Sequence, residues 1–329
     1  MHSFLQYSKL SLTEIIEYAV MFRMQIFDCL IIGAGPAGLS AAIYMGRYNR
    51  LVLVINKGIG RIDSHEINEN YLGFPQGIPS KKIYILGQQQ AEKFGAIFAL
   101  DEIKDIKKEN ATFIAKGERG EYCGKTIILA TGVTDIYPEF RNIKKYIGKS
   151  LFWCLTCDGY KTIGKKIAII GKNDHAAITA LQFLNYTKNI VFISNCSNSE
   201  MALSNKRQQA LKKAGIPLFV GTITNVSGKN GMVEKIILDT REKIAVDYII
   251  NQQGATPNNI LARKMGIICN KEGFIKTDME QRTNIPFTYA AGDITEQFAH
   301  QIVAAAYEGS AAAIAANYDL YRPEQKDNE

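Results

Sequence analysis

Phe27-Asp28-Cys29-Leu30-Ile31-Ile32-Gly33-Ala34-Gly35-Pro36-Ala37-Gly38 is a mostly apolar run that ends in three closely spaced glycines. The apolar part predicts a buried strand, and the residues after Gly38, as far as Arg47, predict a helix. Between them stands Gly-x-Gly-x-x-Gly, in which each glycine has its own reason. Gly33 permits a tight turn, Gly35 lets a pyrophosphate approach the backbone, and Gly38 lets helix and strand pack closely. The helix N-terminus, at Pro36 and Ala37, offers partial positive charge to phosphate oxygens. The stretch therefore reads as a strand–turn–helix that binds a dinucleotide. At the end of the next strand, Leu51–Ile55, an acidic residue commonly meets the ribose hydroxyls. Here Asn56 stands there, an amide that still bonds hydroxyls but without the charge.

The unit occurs twice. Lys166–Ile170 is a second apolar run, followed by Gly171-Lys172-Asn173-Asp174-His175-Ala176, a helical stretch to about Tyr186 and a short strand, Ile190–Ile193. Two such units predict an α/β protein with two Rossmann-like, three-layer ββα domains. Lys81–Phe94 predicts a helix, and Thr112–Arg119, Thr126–Leu129, Val233–Leu238 and Ala245–Ile250 predict strands. Gln301–Tyr318 predicts an alanine-rich helix. Linkers are expected at Gly132–Glu139 and Gly254–Asn259, where Gly and Pro cluster. After the second linker, Ala290-Ala291-Gly292-Asp293 and the last helix are expected to return and complete the first domain. The expected division is an extension at 1–24, a discontinuous first domain at 25–135 and 260–329, and an inserted second domain at 136–259.

Composition agrees with a globular protein, at 47% apolar and 22% charged residues over 329 positions. The uncharged stretch Cys29–Gly46 is interrupted by Gly33, Gly35, Pro36 and Gly38, which argues against a membrane span. Residues 1–24 are weakly amphipathic and contain Glu14 and Glu17, unlike a secretory signal or a transit peptide. No function is assigned to them. The net charge of +7 is concentrated, because Arg141, Lys144, Lys145, Lys149, Lys161, Lys165 and Lys166 face Asp158 alone between 141 and 166. This cluster reads as a solvated lysine surface or as a docking face around the cysteines for an acidic partner. Nucleic acid is disfavoured, since no basic stripe is interleaved with aromatics.

Six cysteines are present, but only Cys154 and Cys157 are neighbours. The scatter of Cys29, Cys123, Cys196 and Cys269 is unlike a secreted disulfide scaffold and points to a reducing, cytoplasmic setting. Cys-x-x-Cys places two sulfurs one helical turn apart, within reach of a disulfide, and such pairs often contain a thiol of lowered pKa. Zinc needs about four ligands, and neither a second Cys-x-x-Cys nor a histidine pair exists to complete the set, so no metal is expected.

Read together and in order, several segments carry a resemblance. They are Gly33–Gly38, Glu69-Asn70-Tyr71-Leu72-Gly73, Ala130-Thr131-Gly132, Cys154-Leu155-Thr156-Cys157-Asp158-Gly159, and Ala291-Gly292-Asp293 followed by His300-Gln301-Ile302. From about Gln25 to Tyr318 the chain resembles the low-molecular-weight thioredoxin reductases. The resemblance implies that the first domain binds FAD and is interrupted by the second. It implies a cofactor set of the three glycines with Pro36 and Ala37, Asn56, Lys57, Gly60, Arg61, Asn70, Ala130–Gly132, Gly292, Asp293, His300, Gln301 and Ile302. His300 stands where the family usually has Arg. Cys157 is then the sulfur facing the flavin, Cys154 the thiolate that attacks the partner, and Asp158 the acid/base. Thioredoxin or a similar small disulfide protein is the implied partner, and a homodimer the implied assembly.

The second glycine turn departs from the family. Asn173 replaces the middle glycine, and its side chain would crowd a pyrophosphate. Where the family carries a His-Arg-Arg motif and a further Arg for the 2′-phosphate of NADPH, this chain reads Ser194-Asn195-Cys196-Ser197-Asn198-Ser199-Glu200. Charge-assisted phosphate contacts are worth roughly 1.5–3 kcal/mol each, so losing three is expected to remove efficient NADPH use. Ferredoxin or another donor is expected instead. The competing readings are a conventional NADPH-dependent thioredoxin reductase and a non-catalytic redox-sensing flavoprotein. A ferredoxin–NADP reductase would have no use for Cys154 and Cys157.

Overall fold

A computed structural model describes residues 25–58, 60–64, 67–296 and 299–326, so the 1–24 extension lies outside the described residues. The chain divides into two compact units. One comprises the segment ending at Asp63, Lys81–Thr134 and the chain from Pro257 onward, and the other comprises Ser64–Ser80 and Asp135–Thr256. Ser64–Ser80 had been expected within the first domain. It clusters instead with the second unit, through contacts around the cysteine pair given below.

The first unit begins with β1 (Ile26–Ile32), which passes through the glycine turn into α1 (Pro36–Arg47), then β2 (Val52–Asn56), α2 (Ser80–Lys93) and β3 (Ile97–Leu100). An antiparallel meander follows, β4 (Ile103–Glu109), β5 (Thr112–Gly117) and β6 (Glu121–Leu129). β1 lies in parallel between β2 and β6, so that Ile31 stands opposite both Val54 and Ile128. Cys29–Ile32 are buried, as a parallel strand covered on both faces must be. Cys29, Ile31, Val54 and Ile128 belong to one core with Ala37, Ala41 and Ala42 of α1, while Leu30, Leu53, Phe113 and Ile127 belong to the other. Truncating a fully buried residue such as Ile128 to Ala would cost about 2–5 kcal/mol.

The second unit is organised the same way. Its elements are β7 (Leu151–Phe152), α3 (Leu155–Asp158), β8 (Ile167–Ile170), α4 (Asp174–Gln182), β9 (Ile190–Ile193), α5 (Asn205–Lys213) and β10 (Leu218–Phe219). Then come the meander β11 (Ile223–Lys229), β12 (Met232–Leu238) and β13 (Lys243–Ala245), and finally β14 (Tyr248–Asn251). The parallel sheet runs β7-β14-β8-β9-β10, and β11-β12-β13 form a separate antiparallel sheet. Val226, Val233 and Ile236 of the meander share a core with Ala168, Ile170 and Ile193, while Ala176, Ala180, Phe183 and Leu211 gather with Ile167, Ile169 and Phe192. Ala245–Ile250 was expected as one strand and is two, in different sheets. The break falls at Val246-Asp247, where the Asp247 carboxylate accepts from the Lys166 amide at 2.8 Å.

The chain then returns to the first unit with β15 (Thr288–Ala290), parallel to β6 with Tyr289 opposite Ile128, and α6 (Ile302–Asp319). α6 approaches α1 very closely, since a Cβ added to Gly309 would lie 2.0 Å from the Ala37 carbonyl oxygen. Its far end is anchored by Arg282, whose Nε and Nη2 donate to the two Asp319 carboxylate oxygens at 3.0 and 3.1 Å. Both units are thus Rossmann-like α/β layers.

Candidate active site

Gly33 adopts φ +109°, a left-handed conformation that favours glycine, and a Cβ there would lie 2.3 Å from the Ala130 carbonyl oxygen. A Cβ on Gly38 would lie 1.9 Å from the Gly33 carbonyl oxygen. A Cβ on Gly35 would meet nothing within 4 Å, and the N-terminus of α1 has no side-chain cap. Two glycines therefore serve packing, and the middle one leaves open ground over an uncapped helix end. β1, β6 and β15 are neighbours in the sheet, so Gly33–Gly38, Ala130–Gly132 and Gly292-Asp293 leave the same C-terminal edge. Asn258 ties the second of these loops, donating to the Thr131 carbonyl and accepting with its own carbonyl from Thr131 Oγ1, both at 2.9 Å. The Arg61 Nη1 reaches Asp293 at 2.7 Å. These features fit a dinucleotide.

Other expected cofactor residues are placed less centrally. Asn56 is buried with its amide donating to the Tyr84 hydroxyl at 3.2 Å, while Lys57 is exposed and paired with Glu102 at 3.0 Å. Gly60 begins the short turn that carries Arg61. Gln301 is the N-cap residue of α6, Ile302 its first residue, and the His300 ring lies 5.4 Å from that of Phe274.

In the second unit Cys154 and Cys157 form a disulfide with Cα atoms 5.2 Å apart. Cys154 caps α3, and its sulfur accepts from the Cys157 amide at 3.0 Å. Asp158 follows directly and is 1% exposed, with Oδ1 accepting from Lys161 Nζ at 3.1 Å. Asn70 brings its amide nitrogen to 3.8 Å from Cys157 Sγ. Its neighbour Glu69 accepts from the Tyr160 hydroxyl and lies 3.6 Å from Lys161 Nζ. Burial and the Glu69 carboxylate keep the Tyr160 phenol protonated well above its ordinary range. Glu69, Tyr160 and Lys161 thus join the expected residues. Sequence alone gave no sign of this network, because Glu69 and Tyr160 are 91 positions apart.

Three of the remaining cysteines, Cys29, Cys123 and Cys269, offer little thiolate. Burial pushes the Cys29 thiol up to about 12, and burial likewise raises Cys123 and Cys269. Among the described residues no group of side chains could hold a metal ion. Of the lysine cluster, Lys161 contacts the cysteine helix, through Asp158. Lys149, Lys165 and Lys166 precede β7 and β8, at the sheet edge opposite the end from which Cys154 emerges.

The model of the pyridine nucleotide-disulphide oxidoreductases matches residues 27–309. The thioredoxin reductase of Bacillus subtilis (strain 168) is 30% identical over 306 residues, covering 89% of this chain and 94% of that protein. The chain belongs to the pyridine nucleotide-disulphide oxidoreductase family. In fold it is similar to the thioredoxin reductase of Streptococcus pyogenes MGAS5005 (TM-score 0.84, 23% identity, 90% of this chain and 98% of that one). It is also similar to the putative thioredoxin reductase of Bacillus anthracis (TM-score 0.79, 25% identity, 89% and 98%).

The second glycine turn is capped by its own side chains. Asn173 is the N-cap of α4, and its side-chain oxygen accepts from the Ala176 amide at 3.1 Å. Asp174 adds a carboxylate to the first turn, held by the Ser204 amide at 2.8 Å, and hydrogen bonds from Ser204 lower its pKa. The following loop is also closed on itself. Asn195 accepts from the Ile223 amide at 2.9 Å, and Glu200 bonds both the amide and the hydroxyl of Ser197, which lowers its pKa.

Proposed function

We propose that this chain is an FAD-dependent thiol–disulfide oxidoreductase of the thioredoxin reductase type. It passes electrons through Cys154 and Cys157 to the disulfide of a small protein such as thioredoxin. The observation that carries the reading is the Cys154–Cys157 disulfide at the start of α3, backed by the buried Asp158. FAD would be held by Gly33, Gly35, Pro36, Ala37 and Gly38 with Ala130, Thr131, Gly132, Gly292 and Asp293. Asn56, Lys57, Gly60, Arg61, Asn70, His300, Gln301 and Ile302 complete the proposed set. When bound, FAD supplies the two electrons that reduce the disulfide.

The remaining chemistry belongs to the chain's own residues. Two electrons break the Cys154–Cys157 bond, and two protons complete the thiols. The Cys157 amide donates to Cys154 Sγ and so favours a thiolate there. That thiolate attacks one sulfur of the partner's disulfide and forms a new S–S bond. The partner's other sulfur departs and takes a proton carried by the Asp158 carboxyl. Cys157 then gives up its proton and, as thiolate, displaces the partner's remaining sulfur, which takes up that proton and leaves as the second thiol while the internal disulfide is restored.

The electron donor in this reading is not a pyridine nucleotide. The self-capped turn at Asn173 and the carboxylates of Asp174 and Glu200 support that, and an acidic protein such as ferredoxin suits the excess of lysine. Lys172, near Glu200, and Lys206 and Arg207, near Asp174, favour the second reading, a conventional NADPH enzyme. The exposed Val303, Tyr307, Ile314 and Tyr318 along α6 support a homodimer. No described helix is long and apolar enough to cross a membrane, and the scatter of Cys29, Cys123, Cys196 and Cys269, unlike a disulfide scaffold, suits a reducing cytoplasm.

Anaerobic stopped-flow reduction, read at the flavin absorbance band, tests these points. Reduced ferredoxin is expected to bleach the flavin, and NADPH and NADH to do so slowly or not at all. Rapid bleaching by micromolar NADPH overturns the donor assignment. A Cys157→Ser variant that still turns over thioredoxin overturns the disulfide route, and wild type with no multiple turnover on any thioredoxin leaves a redox sensor.

A further inference from the structure

Glu308 is the one charged residue between Ile302 and Tyr318, and it is buried at 6% exposure. Its Oε2 accepts from the Gly292 amide at 2.7 Å and from Thr295 Oγ1 at 2.8 Å. Burying a carboxylate is unfavourable unless donors meet it, so both contacts matter to this residue. What they hold is the turn Gly292-Asp293-Ile294-Thr295, which is further tied by the Thr295 amide to the Gly292 carbonyl and by the Ile275 amide to the Ile294 carbonyl, both at 2.9 Å.

The location of this turn gives the clamp a purpose. It leaves the C-terminal end of β15 beside the ends of β6 and β1. A Cβ on Gly292 would lie 2.9 Å from the Ala37 Cβ, so the turn rests on the first turn of α1, where the glycines leave open ground. Asp293, the residue between the clamped positions, pairs with Arg61 at 2.7 Å. Burial, with the Asp293 charge adding to it, raises the proton affinity of Glu308 against the opposing pull of its two hydrogen bonds.

We infer that Glu308 is a positioning residue, which through Gly292 and Thr295 sets the Asp293 carboxylate against the cofactor without touching the cofactor itself. The inference rests on the reading that this unit holds FAD.

Flavin release from diluted holoprotein, followed as the recovery of free-flavin fluorescence, gives the test. Glu308→Leu is expected to weaken FAD binding roughly tenfold or more, and Asp293→Ala to do likewise. The double variant is expected to bind no worse than Asp293→Ala alone, because the clamp acts through Asp293. Glu308→Gln, whose amide oxygen can accept the same two bonds, is expected to retain FAD within about threefold of wild type. Losses that multiply in the double variant would mark a merely structural residue and overturn the inference. So would Glu308→Leu binding FAD like wild type, or Glu308→Gln releasing it like Glu308→Leu. If Glu308→Leu does not fold, Thr295→Val, which removes one donor, takes its place in the same cycle with Asp293→Ala, and the same outcomes decide. Wild-type protein that never carries flavin overturns the cofactor reading and the clamp with it. Flavin-bearing wild type with an indifferent Glu308→Leu overturns the clamp alone.

Discussion

The two glycine turns have the same strand before them and the same kind of helix after, yet they present opposite chemistry to a phosphate. At Gly35 the first turn of α1 has no side-chain cap, and a Cβ would meet nothing within 4 Å. At Asn173 the chain supplies an amide oxygen to the Ala176 amide, and Asp174 adds a negative charge one residue later. A helix start has only a few unpaired donors, and whatever accepts from them decides what the turn is for. In the first unit they face open ground; in the second one of them is taken by the protein itself. The same frame can therefore present different chemistry at its helix start.

The largest effect is expected from giving the first turn the second turn's residue. Gly35→Asn should lower flavin affinity at least about a hundredfold, since it sets a side chain in the approach to α1 and offers its N-terminus a competing cap. The ratio of flavin to protein absorbance in purified material measures this, and an undiminished ratio breaks the comparison. The reverse change is smaller. Asn173→Gly with Glu200→Arg should speed anaerobic flavin reduction by NADPH about tenfold, in keeping with one regained charged contact. No gain would show that the closed loop, rather than the turn, controls the second site.

A pH titration sharpens the contrast further, because Glu308 holds the Gly292–Thr295 turn that rests on the start of α1. Its carboxyl holds a proton more tightly in the folded chain than in the unfolded one. The stability this contributes is present below the ordinary carboxylate range and is lost as pH rises through the raised folded value. The melting temperature of wild type should therefore fall relative to that of Glu308→Gln across that window, and parallel curves would refute the linkage. The smallest effect concerns stability alone. Asn173→Ala should destabilise by about 1 kcal/mol through loss of the cap, and Gly35→Ala by less, since no side-chain cap is lost and the unfolded chain is stiffened, both read by urea unfolding.

How much of this was legible beforehand follows from the range of the interactions. β9 was placed to the residue, and β1, α2 and α6 to within one, because strand runs and helical periods are local. The cysteine pair and glycine turns were legible for the same reason. β3, β4, β11 and α5 were not anticipated. β4 and α5 are lysine-rich and mostly exposed, so their apolar pattern is weak, and β3 is only four residues long. The site was read by its motifs and missed by its networks. Glu69 with Lys161, and Arg61 with Asp293, meet across 92 and 232 positions, and no local pattern announces either. Glu308 did leave a trace, as a lone acid in an alanine helix, but its donors are identifiable only in three dimensions.

The first unit borrows β15 and α6 from the far end of the chain, after the whole second unit has intervened. During synthesis the nascent chain must therefore complete its inner portion while the outer sheet still lacks a strand and the helix that covers α1. Until residue 319 has cleared the ribosome, Ala37, Ala41 and Ile128 have no lid, and the glycine turn has no Asp293 beside it. Flavin capture is consequently a late event in the life of each molecule, and a polypeptide cut short after β14 would leave an apolar sheet exposed to chaperones and proteases.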